Sequence, residues 1–338
     1  MVRRCNMNNR VCEALGIQYP IIQGPMSWLT NAELVAAVSN AGGLGILGPN
    51  AGQKDITTDA LETAERMRAE IRKVKELTDK PFAVTLIGSN GEASSEFTLK
   101  ILDVVIEEKV PAVLINSAGT EGHYGVEKGL LEPCKKHGIK MVVRAWQSSI
   151  ADAKKCEDQG VDVYVATGFD EGGTIPGASI GTFSILPMIR DAIKMPLAVA
   201  GGITDIRTVR AAFALGAEAV FCGTLFIPVK ESPVAQNVKE LIVNSSAEDL
   251  ALYRAPIAYY RSLPTAILPQ LIENDQKLAA ADAIEANGKI MGGTSGMRIG
   301  MLEGNLEKGY VSVGNGVSLI HKIKAVQEVV DDLMIDFK

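Results

Sequence analysis

The sequence predicts an eight-stranded α/β barrel of the (β/α)8, or TIM, type, with a mainly helical insertion after its eighth strand. Eight short aliphatic or β-branched runs recur along the chain, each followed by a stretch of helical length, which is the pattern of βα units around a parallel sheet. Runs such as Leu197-Ala198-Val199-Ala200 lack polar alternation, so both faces of those strands are buried. Eight repeats match a closed barrel better than an open, doubly wound sheet.

In chain order, strands are expected at 20–24, 44–47, 81–87, 111–117, 140–146, 161–168, 196–202 and 219–226. Helices are expected at 31–40, 57–77, 96–109, 126–137, 150–159 and 206–215. Several stop at a glycine (Gly138, Gly160, Gly216), a residue that adopts the left-handed C-cap conformation without steric cost. After Phe226 the rhythm ends. Residues 232–303 show no strand runs and read as helices packed over one end of the barrel. Glycines then cluster from Gly292 to Gly316 ahead of a terminal helix over 317–334, which returns the chain to the barrel rim. The expected organisation is a barrel over 1–231, a helical lid over 232–303, and a return over 304–338.

Composition narrows the functional classes. The chain has 338 residues, 47% hydrophobic and 22% charged, which excludes disordered and fibrous structure. Thirty-four Lys and Arg against 40 Asp and Glu give a net charge of −6, so no basic field exists to hold a phosphate backbone, and nucleic acid is not an expected partner. Cys5, Cys12, Cys134, Cys156 and Cys222 are odd in number and form no CxxC pair. They read as reduced thiols, with no metal site among them. Arg3 and Arg4 precede a polar stretch rather than the apolar core of a signal peptide, and no window approaches the roughly 18 apolar residues of a membrane span. A soluble, cytoplasmic protein is expected.

In such a barrel the functional groups lie on the loops after the strands' C-terminal ends, and a phosphate commonly docks after the seventh and eighth strands. Gly201-Gly202-Ile203 closes the seventh strand here, and Gly223-Thr224 lies in the distal part of the eighth. Glycine lets backbone N–H groups approach a phosphate, and a following helix N-terminus adds favourable dipole charge; the alternative is that these are tight turns only. After the first strand, Gly24-Pro25-Met26 offers backbone and a thioether to a flat ring such as a flavin, while Met26 and Trp28 equally suit an ordinary core. The GxGxxG spacing of Gly43, Gly45 and Gly48 runs through the second strand instead of leading from a strand into a helix, so it lacks the context of a dinucleotide fingerprint.

Six motifs occur in one order: Gln23-Gly24-Pro25-Met26, Ala41-Gly42-Gly43-Leu44-Gly45-Ile46, Asp79-Lys80-Pro81-Phe82-Ala83-Val84, Gly168-Phe169-Asp170-Glu171-Gly172-Gly173, Ala200-Gly201-Gly202-Ile203, and 214–220 running on to Gly223-Thr224. Together they resemble the nitronate monooxygenase (2-nitropropane dioxygenase) family, which includes flavin-dependent enoyl-ACP reductases. The resemblance is clear over residues 10–235 and looser beyond. It implies an FMN-dependent oxidoreductase, with nitronate oxidation by O2 as the first reading. Reduction of an enoyl thioester by NADH or NADPH, with an acyl carrier protein as partner, is the second, and a flavin-binding barrel without turnover is the third. A small-molecule substrate and a homodimer are compatible with all three.

The resemblance places the FMN phosphate on Gly201, Gly202, Gly223 and Thr224. It places the flavin ring near Gly24, Pro25 and Met26, with Thr85 where relatives often carry Asn, and passes the Gly172-Gly173-Thr174 loop beside the ring. The chain also departs from the pattern. Thr174 stands where relatives carry a histidine that serves nitronate chemistry, and threonine is no base near neutral pH. Leu225 replaces a common Arg, and Trp146 stands near a lysine of some relatives. Of the three histidines, His137 and His321 read as surface or capping residues. His123, in the loop after the fourth strand, is either a solvated loop residue or the substitute base, and Asp170 and Glu171 are either solvent-facing or substrate-orienting. Without a base, nitronates are expected to react far better than neutral nitroalkanes. Lys54, Arg66 and Arg68 are the residues expected to contribute a basic patch for an acidic carrier protein.

Overall fold

The computed structural model describes residues 9–88, 94–256, 258–293 and 295–337. Arg3, Arg4 and Cys5 lie outside them. Eight parallel strands form the barrel: β1 (Ile21–Gln23), β2 (Gly45–Leu47), β3 (Phe82–Ile87), β4 (Ala112–Ser117), β5 (Lys140–Ala145), β6 (Val163–Thr167), β8 (Leu197–Ala200) and β9 (Ala219–Cys222), with β7 (Gly173–Ile175) lying outside it. Their order is β1-β9-β8-β6-β5-β4-β3-β2. Leu44 closes the ring by bonding both ways to β1, donating to the Ile21 carbonyl and accepting from Gln23 N–H, each at 2.9 Å. The fold is the expected TIM barrel. β8 and β9 are its seventh and eighth strands, and the predicted 219–226 run ends early because Thr224–Phe226 turns into a 3-10 helix.

Period-two packing builds two cores from the same strands. Ile22, Ile46, Leu114, Val142, Val165 and Phe221 belong to a cluster filling the barrel, while Val84, Val113, Ile115, Val143 and Val199 belong to the shell beneath the helices. The helix Arg10–Leu15 joins the inner cluster through Val11 and Leu15. Arg10 pairs with Glu218 and donates to the Lys194 carbonyl, both just ahead of β9 and β8, so this helix plugs the strands' N-terminal end. Among the described residues the C-terminal mouth of the barrel is left open.

The insertion is mainly helical as expected, with helices at Gln236–Val243, Leu268–Lys277 and Ala280–Met291, but it also holds strands that were not expected. It contains β10 (Ala251–Arg254) and β11 (Tyr259–Ser262), antiparallel to each other, and β11 pairs with β7 in a three-stranded sheet. The runs are four residues long and polar-interrupted, and β7 lies some 85 residues earlier, so no local periodicity announces them. Trp28, Leu29, Val234, Val238, Met301 and Val313 form part of a separate apolar cluster fixing this region to the barrel. The helix expected over 317–334 is also shorter, a 3-10 segment at Asn315–Leu319 followed by a helix at Val326–Leu333. The Glu231 carboxylate accepts Val326 N–H at 3.0 and 3.1 Å and Glu328 accepts Ala325 N–H at 2.8 Å, which sets the later start.

Candidate active site

A cavity of about 360 Å3 opens at the C-terminal mouth, lined from every side of the barrel: Gly24 after β1, Pro49 after β2, Ile87 on β3, Asn116 on β4, Arg144 and Trp146 from β5, and the loops after β6, β8 and β9. Its outer wall comes from the 232–303 stretch, including Pro256, Tyr260, Met291 and Met297.

One end is a backbone cradle. Gly201 and Gly202 have φ of +109° and +72°, a region that side chains rarely adopt, and a Cβ on Gly223 would meet nothing within 4 Å. Thr224 Oγ1 accepts Gly314 N–H at 2.9 Å and keeps its own proton to donate. The buried hydroxyl of Thr204, beside Gly316, has no partner. One expectation needs correction. The helix after β8, Ile206–Ala214, is already capped, because the Asp205 carboxylate accepts Arg207 and Thr208 N–H groups at 2.9 and 3.1 Å. The groups left for an anion are therefore those of the glycine turns and the two threonines rather than this helix terminus.

Gln23, fully buried, accepts Ile46 N–H at 2.9 Å and donates to the Gly24 carbonyl at 2.5 Å, which orients Gly24-Pro25-Met26, with Gly24 beside Gly223. A Cβ at Gly24 would come within 2.7 Å of the Phe221 ring, so only glycine fits there. Met26 lines the cavity, whereas Trp28 turns away at φ +70° into the apolar cluster below the insertion.

The polar wall is carried by β4, β5 and the loop between β6 and β7. Arg144 pairs with Glu171, both about nine-tenths buried, and its guanidinium lies 5.6 Å from the Trp146 ring centroid. Burial pushes the Glu171 carboxyl above the ordinary glutamate range, with Arg144 and Arg261 pulling it back. Arg261 on β11 donates to the carbonyls of Phe169, at 2.7 Å, and Glu171, and so holds the loop from the insertion side. Tyr260 bonds Ser312 at 2.6 Å, and burial keeps its hydroxyl protonated. Burial likewise pushes the Cys222 thiol up to about 12, so it is no thiolate.

Among the residues singled out from sequence, Gly24, Pro25, Met26, Gly172, Gly173, Thr174, Gly201, Gly202, Gly223 and Thr224 all line this cavity. Two do not. Thr85 lies two residues before the end of β3 and spends its hydroxyl on the Leu47 carbonyl at 2.9 Å, inside the sheet. His123 is exposed on a turn closed by its N–H to the Thr120 carbonyl. Gly125 and Val126 N–H groups bond Asp152 and Gln159, which carries that loop outward along the barrel flank. Of the three residues expected in a basic patch, Arg66 and Arg68 are spent: Arg66 pairs with Asp55 and Glu62, and Arg68 with Glu65, Glu107 and Glu108. Asn116, Arg144, Tyr260 and Ser312 went unselected. A polar residue interrupting an apolar strand end flags the first two, but nothing local flags the insertion residues.

The nitronate monooxygenase family model matches residues 8–336, nearly the whole chain. The chain belongs to the nitronate monooxygenase family. That makes it an oxidoreductase by membership. A Staphylococcus saprophyticus protein described as a probable nitronate monooxygenase is 33% identical over 283 residues, covering 72% of this chain and 74% of its own. A Rhodococcus jostii (3aS,4S,5R,7aS)-5-hydroxy-7a-methyl-1-oxo-octahydro-1H-indene-4-carboxyl-CoA dehydrogenase is 25% identical over 98% of this chain and 96% of its own. Among solved structures, FabK from Thermotoga maritima superposes with a TM-score of 0.81 at 31% identity, covering 98% of this chain and 96% of that one. A nitroalkane oxidase from Streptomyces ansochromogenes, at 22% identity and a TM-score of 0.75, shares the fold. No helix among the described residues is long and apolar enough to cross a membrane.

Proposed function

We propose that the protein is an FMN-dependent oxidoreductase that oxidises small nitronates with O2. The observation that carries this reading is the cradle of Gly201, Gly202, Gly223 and Thr224 in a cavity that the Gly24-Pro25-Met26 turn also lines, with Gly24 beside Gly223. The residues fit the group: a phosphate would satisfy the partnerless Thr204 hydroxyl and the Thr224 proton, and Gly223 leaves the space beside its backbone free of side chain. When bound, the flavin supplies the electron chemistry, taking electrons from the substrate and passing them to O2. Arg144, the one Lys or Arg among the lining residues, is already paired with Glu171, so an anionic substrate has only the guanidinium's remaining N–H donors to bind, and the 232–303 stretch acts as a lid that keeps water out.

Reduction of an enoyl thioester is the second reading. Its support is that FabK and the carboxyl-CoA dehydrogenase match both chains over at least 96%, whereas the staphylococcal relative matches three quarters. With Arg66 and Arg68 neutralised by carboxylates, a coenzyme A ester suits this reading better than an acidic carrier protein. A visible spectrum followed by anaerobic mixing separates the cases. Flavin bleaching by ethyl nitronate, reversed by O2, supports the first. Bleaching by NADH or NADPH, reversed by crotonyl-CoA, supports the second. Flavin that neither bleaches indicates a non-catalytic binder, and protein that retains no FMN after incubation with it sinks all three.

A further inference from the structure

No histidine occurs among the residues lining the cavity, but a carboxylate does. Glu171 stands on the connection between β6 and β7, directly before Gly172-Gly173-Thr174. Its side chain is 10% exposed; Oε2 is bound by Arg144, and Oε1 has no hydrogen-bond partner and no contact with solvent. A buried carboxylate oxygen without a partner is costly to maintain. An ion pair serving the fold alone gains nothing from that arrangement, because the guanidinium fork can bind both oxygens. A two-fold flip of the terminal torsion only interchanges the two oxygens, so it is the torsions nearer the backbone that turn the carboxyl toward the cavity, which Glu171 already lines.

We propose that Glu171 is the base for carbon acids at this site, in the role that Thr174 cannot fill, and that Arg144 receives the anion formed. The inference rests on the nitro-compound reading above. In the step, the α-proton of a neutral nitroalkane passes to the Glu171 carboxylate. The C–H electron pair becomes the C=N bond, a nitro N–O electron pair moves to oxygen, and the products are a nitronate and a neutral carboxylic acid. No electrons leave the substrate, so no oxidant takes part. Charge is also conserved locally: the Arg144–carboxylate pair becomes an Arg144–nitronate pair, so the low-dielectric cavity gains no net charge.

The charged groups facing Glu171 are Arg144 from β5 and Arg261 from β11, with Asp170 beside it on its own loop, tied to Thr182 and Asn315. Burial outweighs the two arginines and makes the carboxylate a stronger base than an exposed glutamate, for which the ordinary value is about 4.3.

The test is exchange of the α-protons of nitroethane for deuterium, followed by NMR on the flavin-loaded protein without O2. The protein should accelerate exchange over buffer, and the rate should fall at low pH with a midpoint above about 4.3. Glu171→Gln should lower exchange by roughly 100- to 10,000-fold and lower the ratio of nitroethane to ethyl nitronate reactivity in flavin bleaching in parallel. Glu171→Asp, which withdraws the carboxylate by one methylene, should lose at least about ten-fold yet keep a pH-dependent rate, and it serves if the glutamine variant does not fold. His123→Ala should exchange at the parent rate. Parent protein no faster than buffer, or full exchange in Glu171→Gln, overturns the proposal. Catalysed exchange without bleaching by ethyl nitronate defeats the oxidase reading and leaves Glu171 standing, and the reverse result removes Glu171 alone.

Discussion

Gly202 and Gly223 carry the same expectation by different routes. At φ +72° Gly202 is conformationally obliged to be glycine, so Gly202→Val strains the backbone and fills the cradle together, whereas a side chain at Gly223 meets open space. Gly223→Val should therefore keep the parent melting temperature within about 2 °C while flavin absorbance per protein falls at least about ten-fold, and Gly202→Val should lower both. Retention of FMN by Gly223→Val would move the phosphate elsewhere. These glycines were legible as residues because a barrel has a preferred phosphate end. Thr85 was not, because its hydroxyl is within reach of the Leu47 carbonyl, a contact that exists only after β2 and β3 pair. His123 shows the same limit: the fourth loop is bent outward by Asp152 and Gln159, residues of the next βα unit.

At the level of elements, the connection from β6 to the helix Thr182–Ala192 decides the shape of the site. The helix N-cap position, Gly181, offers no side chain, and Asp170 supplies one from outside by accepting Thr182 N–H at 2.7 Å, while also accepting from Asn315 at 3.2 Å. Burial alone would raise the Asp170 carboxyl, but the bonds from Thr182 and Asn315 and the nearby Arg261 outweigh it and hold the carboxyl below the ordinary aspartate range. A depressed folded-state pKa contributes stability that is present above the unfolded value of about 3.9 and is lost as pH falls through the lower, folded value. Asp170→Asn should cost about 1–2 kcal/mol at neutral pH, with the difference from the parent shrinking below about pH 4. Urea melts at pH 7 and pH 3 check it, and an equal loss at both would mean the charge is irrelevant.

For the molecule as a whole, the insertion is joined to the barrel by one apolar cluster and by the β11 to β7 ladder, with Arg261 as its polar rivet. The Arg261 guanidinium also lies 5.2 Å from the Phe169 ring centroid. Arg261→Met leaves buried carbonyls of Phe169 and Glu171 without a donor, at about 1–3 kcal/mol. The expected result is earlier tryptic cleavage within 232–303 and a cavity wall that no longer holds Glu171 in place, with the barrel's own far-UV signal intact. Unchanged cleavage kinetics would show that the apolar cluster alone holds the insertion.

The sequence by itself determined the barrel, its eight strands and the glycines that close the seventh and eighth of them, because each of these is written in short-range periodicity or in a residue type that one backbone geometry requires. Leu197-Ala198-Val199-Ala200 reads as a two-face-buried strand wherever it is placed. Tertiary structure decided which polar groups share the cavity. Glu171 meets Arg144 across 27 residues and Arg261 across 90, and β11 completes a sheet with β7 although neither run shows strand alternation alone. Such contacts depend on how the closed barrel brings loop ends to one mouth, and a pattern read three or four residues at a time contains no term for that distance.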